Sequence, residues 1–224
     1  SRLATTAGTC PVMGTASTMA CIAETLGMAL PGTAAIPAVH ADRLRAAEES
    51  GKRAVEIARS GLTPDKVVTE KSVENALRVL LAIGGSTNGI IHLTAIAGRA
   101  GVNVSLDRLN EISDETPVLV NLKPSGDHYM EDFFAGGGLG AVLREIEHLL
   151  HLDTLSITGE TLGDRLSEAP GYIDPDIVRP FAEPHYPLGG VVSLFGTLAP
   201  NGAILKRAAA DDALVSVRRD RPVA

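Results

Sequence analysis

Apolar residues recur at helical spacing in several stretches of the chain, and charged residues interleave with them in only some of these. From Thr18 to Met28 the apolar positions run almost all round the helical wheel, which predicts a buried helix, closed by Pro31-Gly32. The stretch from Ala41 to Ser60 is the opposite case. Leu44, Val55, Ile57 and Ala58 are scattered among Arg43, Arg45, Glu48, Glu49, Lys52, Arg53 and Glu56, the pattern of a solvated outer helix laced with ion pairs. Thr63-Pro64 predicts a turn. Thr69-Glu70-Lys71 then opens a helix whose stripe is Val73, Ala76, Leu77, Leu80 and Leu81. It runs into Gly84-Gly85-Ser86-Thr87-Asn88-Gly89, and a second apolar helix, Ile90 to Ala97, follows at once. Leu106 to Ile112 predicts a further short helix.

Val118-Leu119-Val120-Asn121-Leu122 is β-rich and apolar, and reads as a buried strand with the loop Lys123-Pro124-Ser125-Gly126 at its carboxyl end. Met130 to Phe133 leads to a glycine run, and a helix is expected from Leu139 to Leu150. This alternation predicts an α/β fold with a mostly parallel sheet flanked by helices. The character changes at Pro170, where Pro170, Pro175, Pro180, Pro184 and Pro187 mark a linker or an extended wrap. Beyond it lie two β-rich runs, Gly190 to Phe195 and Leu198 to Leu205. Asn201-Gly202 signals a hairpin turn, and Ala213 to Val217 is a candidate third strand. The expected organisation is therefore an α/β domain over 1–169, a Pro-rich linker over 170–188 and the beginning of a β-barrel-like domain over 189–224. The abrupt end within that last part reads as a cut in a longer protein.

Composition narrows the class. The 224 residues are 45% hydrophobic and 21% charged, a globular balance. Aromatics make up only 3% and Trp is absent, so Ala, Leu, Ile and Val must fill the core. The net charge is 20 − 27 = −7 with no long basic run, which argues against a nucleic-acid partner. No uninterrupted apolar stretch reaches the length of a membrane span. Two cysteines cannot build a disulfide framework, and a reducing, cytoplasmic setting is expected.

Candidate chemistry gathers in three loops. Cys10 lies in Gly8-Thr9-Cys10-Pro11-Val12-Met13-Gly14, just ahead of the first helix. A thiol there sits at a positive dipole end, which favours metal ligation or nucleophilic attack; a small buried hydrophobe is the competing reading. Cys21, on the apolar helix, reads as core, and no Cys-x-x-Cys pair completes a metal site. In the second loop Ser86, Thr87 or Asn88 could hold an anion on helix amides or simply cap the helix. It is neither a Walker A nor a dinucleotide fingerprint. In the third loop Ser125, Asp127, His128, Met130, Glu131 and Asp132 lie where a parallel strand would end and ligands collect; a solvated loop is the plainer alternative. His92 reads as a core histidine, His148 and His151 flank a helix end, and His40 and His185 have no companion ligands nearby in sequence.

Six ordered stretches resemble the dihydroxy-acid/6-phosphogluconate dehydratase family. They are Gly8 to Met19; Leu30 to Ala38; Ala82 to Asn88 with His92-Leu93; and Leu122 to Gly126 with Met130 to Phe133 and Ala135-Gly136-Gly137. Asp153 to Leu155 with Thr158 to Leu162, and Leu198 to Ala203, complete the set. Ser17, where the dihydroxy-acid branch usually has Asn, makes the motif look more like the sugar-acid branch. The resemblance implies a central fragment of a hydro-lyase that dehydrates a sugar acid to a 2-keto-3-deoxy acid. It implies an iron–sulfur cluster, expected as 2Fe–2S ahead of 4Fe–4S, and Mg²⁺. Cys10 matches one of three cluster cysteines, while the other ligands and the base lie outside this chain, leaving the fragment inactive alone. Ser86, Thr87, Ser125 and Met130 are the expected substrate contacts. A small-molecule sugar acid and a homo-oligomer, dimer or tetramer, are the implied partners. Two alternatives stand beside this reading: a dihydroxy-acid dehydratase of branched-chain amino-acid synthesis, and a non-catalytic scaffold or binding lobe. A nucleotide-binding α/β protein is a weaker third.

Overall fold

The computed structural model describes residues 11–168 and 171–210. Helix α1 (Thr15–Thr25) is largely enclosed, with Ser17, Thr18, Cys21, Ile22, Glu24 and Thr25 buried, as its all-round apolar pattern predicts. It packs on α4 (Glu70–Ala82) and α5 (Asn88–Arg99). Helix α4 is the centre of the molecule. Its start is fixed by a reciprocal cap between Thr69 and Ser72. From Asn75 to Ala82 every residue is buried.

Two apolar clusters flank this pair of helices. In one, Cys21, Val79, Ile83, Leu119, Phe133 and Ile146 meet; in the other, Ile22, Leu80, Leu93, Leu109, Ile112 and Val191. Between α1 and α4 runs α2 (Ala41–Ser60), which buries no residue and carries the expected surface ion pairs, Lys52 to Glu48 and Arg53 to Glu56. The short helix α3 (Pro64–Val67) follows it. Beyond α5 come α6 (Leu106–Glu115), α7 (Met130–Ala135), α8 (Gly138–Glu145) and α9 (Leu162–Ser167). The helix expected to reach Leu150 stops at Glu145 and continues as a single 3₁₀ turn, Glu147–Leu149.

The expected parallel sheet is not formed. Among the described residues the sheet is one antiparallel pair, β1 (Val192–Gly196) with β2 (Ala199–Leu205). The apolar run at 118–122 is extended and buried, with Val118, Leu119, Val120 and Leu122 at 2% exposure or less. Its pairing is piecemeal: Val118 bridges Tyr186 and Val120 bridges Val178, both antiparallel, while the Leu119 amide bonds the Ala82 carbonyl at the end of α4. Helices and the Pro-rich segment bury this run, where a sheet was expected. A continuous apolar run records burial on both sides and not the partner that provides it.

Two local expectations change as well. The hairpin turn lies at Thr197–Leu198, because Gly196 pairs with Ala199. Asn201-Gly202 instead falls where the register slips, in a bulge on β2. Pro200 has no N–H to give the ladder, and Gly202 takes a φ of +97° that suits glycine. His92 is exposed on α5, not in the core. The buried stripe there is Ile90, Leu93 and Ala97, and the helix is apolar over more of its surface than it buries. The candidate strand Ala213 to Val217 lies outside the described residues. Among those described, no helix is long and apolar enough to cross a membrane.

Candidate functional site

The first two candidate loops converge on the N-terminal end of α1, and the third abuts them. Cys10 lies outside the described residues, but the chain immediately after it is tightly placed. The Met130 amide donates to the Pro11 carbonyl at 2.8 Å, and the Met13 amide donates to the Lys123 carbonyl at 2.9 Å. Ser17, buried in the first turn of α1, donates its hydroxyl to the Val12 carbonyl at 3.0 Å. The segment 11–13 is thus stitched to the 123–130 loop by backbone bonds.

The glycine-rich turn between α4 and α5 meets the same helix end. The Ser86 amide donates to Thr18 Oγ1 at 2.9 Å, the Ser86 and Thr15 hydroxyls are 3.1 Å apart, and Asn88 Nδ2 donates to Thr15 Oγ1 at 2.9 Å. Ser86 Oγ also accepts the Asn88 amide at 3.2 Å, a local capping bond. Thr87 occupies the N-cap position of α5, yet its side chain makes no capping bond. The structural and functional readings of this turn therefore divide between two residues: Ser86 caps, and Thr87 does not.

In the third loop, Ser125 Oγ is buried and has no hydrogen-bond partner among the described residues. Met130 is packed into the core, and it is its backbone amide that reaches the cysteine loop. Asp132 accepts the Tyr129 amide at 2.8 Å as a helix cap, with His128 Nδ1 3.9 Å from the same carboxylate. Asp127 is exposed and Glu131 half-buried. Lys123 Nζ donates to the Tyr129 hydroxyl at 2.8 Å, a pairing that the sequence reading passed over. The loop is folded tightly on itself: a methyl group on Gly126 would lie 2.2 Å from Asn121 Oδ1 and 2.7 Å from the Asn121 carbonyl carbon. Gly126→Ala is expected to lower stability by about 1–3 kcal/mol, read from a urea unfolding midpoint. An unchanged midpoint would mean that the loop yields freely.

The remaining histidines serve structure. His40 caps α2 by accepting the Asp42 amide, His148 sits edge-on to Phe181, and His151 lies 3.6 Å from Glu74. His185 is different, since its ring reaches the Ser125 carbonyl at 3.2 Å from the far side of the molecule's sequence.

The described residues do not assemble a metal centre. No three His, Cys, Asp or Glu side chains among them are grouped to hold an ion. Cys21 is fully enclosed, and burial, followed by the neighbouring Glu24 carboxyl, pushes its thiol far up, so it stays protonated and closed to a metal. An iron–sulfur cluster or Mg²⁺ does not fit the described residues alone.

A buried carboxylate that sequence reasoning missed stands at the other end of α1. Glu24, 1% exposed, accepts the amides of Gly32 and Ala34, each at 2.8 Å, and lies 3.5 Å from Arg165 Nη2. It borders a cavity of about 370 Å³ that also touches Gly32, Ala35, Phe134, Gly138 and Tyr172. A lone acidic residue inside an otherwise apolar helix was the available signal.

Residues 1–165 match the family described as dihydroxy-acid/6-phosphogluconate dehydratase N-terminal. A protein of Methanosarcina barkeri named dihydroxy-acid dehydratase is 46% identical over 209 residues, covering 92% of this chain and 38% of its own length. The protein of that name from Acetivibrio thermocellus is 43% identical over 204 residues, covering 90% and 37%. That from Desulfosudis oleivorans is 42% identical over 213 residues, covering 94% and 38%. The chain thus spans under two-fifths of the length of these relatives.

Proposed function

The chain belongs to the dihydroxy-acid/6-phosphogluconate dehydratase family, and from that membership we propose that it forms part of a hydro-lyase acting on 2,3-dihydroxy carboxylates. Such a reaction removes the C2 proton and the C3 hydroxyl as water and leaves an enol that tautomerises to a 2-keto acid. The observation that carries the finer reading is identity above 40% across nine-tenths of the chain to proteins named dihydroxy-acid dehydratase. It favours a branched dihydroxy acid over a sugar acid, reversing the preference drawn from Ser17. Ser17 is also a poor reporter of substrate, because its hydroxyl is committed to the Val12 carbonyl inside the first turn.

Within that enzyme the residues of this chain hold and shape. Cys10 supplies one thiolate to the iron–sulfur cluster that the family uses together with Mg²⁺, and the remaining ligands and the base come from outside this chain. Pro11 and Met13, which follow Cys10 in sequence, are bonded to the 123–130 loop, and this supports placing that loop near the cluster. The Ser86–Thr87 turn and the Ser125 loop form part of the substrate wall. The Ser125 hydroxyl, without a partner among the described residues, is a polar group left for a substrate oxygen.

The test is turnover by the complete protein, purified without oxygen and assayed for keto-acid formation. Its kcat/KM is expected to be at least tenfold higher for a short branched 2,3-dihydroxy acid than for five- and six-carbon sugar acids, a discrimination of about 1.4 kcal/mol in transition-state binding. The reverse order would restore the sugar-acid reading, and absence of turnover with either class would remove the dehydratase assignment.

A further inference from the structure

The Pro-rich segment contributes two side chains to the candidate substrate wall. The Ser125 carbonyl accepts two hydrogen bonds, both from that segment: His185 Nε2 at 3.2 Å and the Tyr186 hydroxyl at 3.2 Å. The two rings brace one another edge to face, with centroids 4.6 Å apart. Tyr186 is also bound through its backbone, which exchanges two bonds with Val118 at 3.0 and 3.1 Å. Its side chain therefore projects from a fixed rail.

The same segment reaches the glycine-rich turn. A methyl group on Gly190 would lie 2.9 Å from the Gly84 Cα, and one on Gly84 would lie 3.9 Å from Ser125 Oγ. The run 185–190 therefore touches both loops that carry the candidate substrate contacts.

A carbonyl oxygen can only accept. The contact with Ser125 therefore makes His185 Nε2 the protonated nitrogen and leaves Nδ1 without its proton in the neutral ring. Tyr186 donates to the second lone pair of the same oxygen. Two donors on one carbonyl fix both its direction and the peptide plane that follows it. The Ser125 Cα, and with it the buried hydroxyl, is held by that plane.

We infer that His185 and Tyr186 are positioning residues, which lock the Ser125 loop in the orientation that presents Ser125 Oγ to the substrate. This deepens the proposed function and rests on the reading of that loop as substrate wall. The effect on turnover is indirect: neither ring needs to touch the reacting atoms. A mislaid wall weakens substrate binding more than it slows the bound substrate.

The test uses the complete protein and three variants: His185→Ala/Tyr186→Phe together, His185→Gln, and Tyr186→Phe. The backbone rail at Val118 persists in all of them, which keeps the segment docked. Two readouts are taken: steady-state kinetics on the preferred dihydroxy acid, and hydrogen exchange of the 121–130 peptide. The double variant is expected to raise KM enough to lower kcat/KM by roughly tenfold, within the range that a small misplacement of bound substrate produces. It should also speed exchange in 121–130. His185→Gln, whose amide nitrogen can donate as Nε2 does, should stay close to the unmodified enzyme in both.

Faster exchange with unchanged kinetics would overturn the positioning role. Unchanged exchange and kinetics would overturn both the clamp and the role. A fall in kcat at constant KM, unrescued by glutamine, would make His185 a participant in the chemistry and would likewise overturn the inference. Should the unmodified protein dehydrate no dihydroxy acid at all, the functional reading falls first, and exchange in 121–130 alone decides whether the clamp exists.

Discussion

Cys10→Ser in the complete protein is expected to abolish both the visible iron–sulfur absorbance and dehydratase turnover, while Cys21→Ser leaves both in place. The contrast follows from the two positions. In the sequence Cys10 comes two residues after Gly8, directly before Pro11, whose carbonyl is tied to the Met130 amide, and five residues before Thr15, where the helix begins. A thiol ahead of a helix N-terminus is eased towards thiolate, the form that a metal binds. Cys21 lies on the same helix with no exposure, packed with Val79 and Ile83 in the larger apolar cluster, and its thiol is held protonated by burial. Serine there places a hydroxyl in an apolar site and costs about 1–3 kcal/mol, which lowers the melting temperature and leaves the iron content alone. Iron per chain, the absorbance spectrum and turnover are measured on the anaerobically purified proteins. Normal iron loading in the Cys10 variant would remove this residue from the cluster. Loss of iron in the Cys21 variant at an unchanged melting temperature would move the assignment to the buried thiol.

The sequence carried the helices well where pattern and punctuation agreed. Helix α2 spans Ala41–Ser60 as its polar pattern predicts, and α4 spans Glu70–Ala82, beginning one residue after Thr69, where it was expected to open. The strand at 118–122 was legible as a buried, extended run. Its partners were not: they are Tyr186 and Val178, some sixty residues away, in a segment whose prolines read as a linker. Periodicity reports what faces the core, and a fully buried run has no periodicity left to report which neighbour supplies its hydrogen bonds. The candidate site divides in the same way. Ser86 stood out by the two glycines before it, and Ser125 by the loop that follows the apolar run 118–122. His185 did not, because its relation to Ser125 is made by the fold alone. In the sequence Ser17 is only a motif letter; in the fold its hydroxyl closes the turn behind it, which motif comparison alone does not reveal.

Glu24 is the residue whose loss is expected to cost this fold most. It is buried in α1 and is the shared acceptor for the amides of Gly32 and Ala34, so a single carboxylate shapes the loop that leaves the helix. Glu24→Ala removes the acceptor from the Gly32 and Ala34 amides and leaves the Arg165 guanidinium, itself mostly enclosed, without its carboxylate. Breaking a buried pair from one side in this way costs about 3–5 kcal/mol. Glu24→Gln keeps the volume and one acceptor but sets an amide N–H₂ against a backbone N–H. Its expected cost is about 1–3 kcal/mol. Charge adds a pH dependence of definite sign. Burial, the largest influence, holds the Glu24 carboxyl above the ordinary carboxylate value despite the two amides and Arg165, which pull it down. The folded chain therefore keeps a proton that the unfolded chain has already released. The stability this contributes is fully present below the unfolded carboxylate value and is lost as pH rises through the folded-state value. Urea unfolding at a series of pH values across that window, on the unmodified protein and on Glu24→Gln, separates charge from packing. The unmodified protein should lose stability with rising pH in that window relative to the glutamine variant, whose corresponding slope is absent. Identical slopes would mean that the Glu24 carboxyl binds its proton equally well in the folded and unfolded chains. An alanine variant within about 0.5 kcal/mol of the unmodified protein, the range of an ordinary surface substitution, would show that the 30–34 loop finds other acceptors.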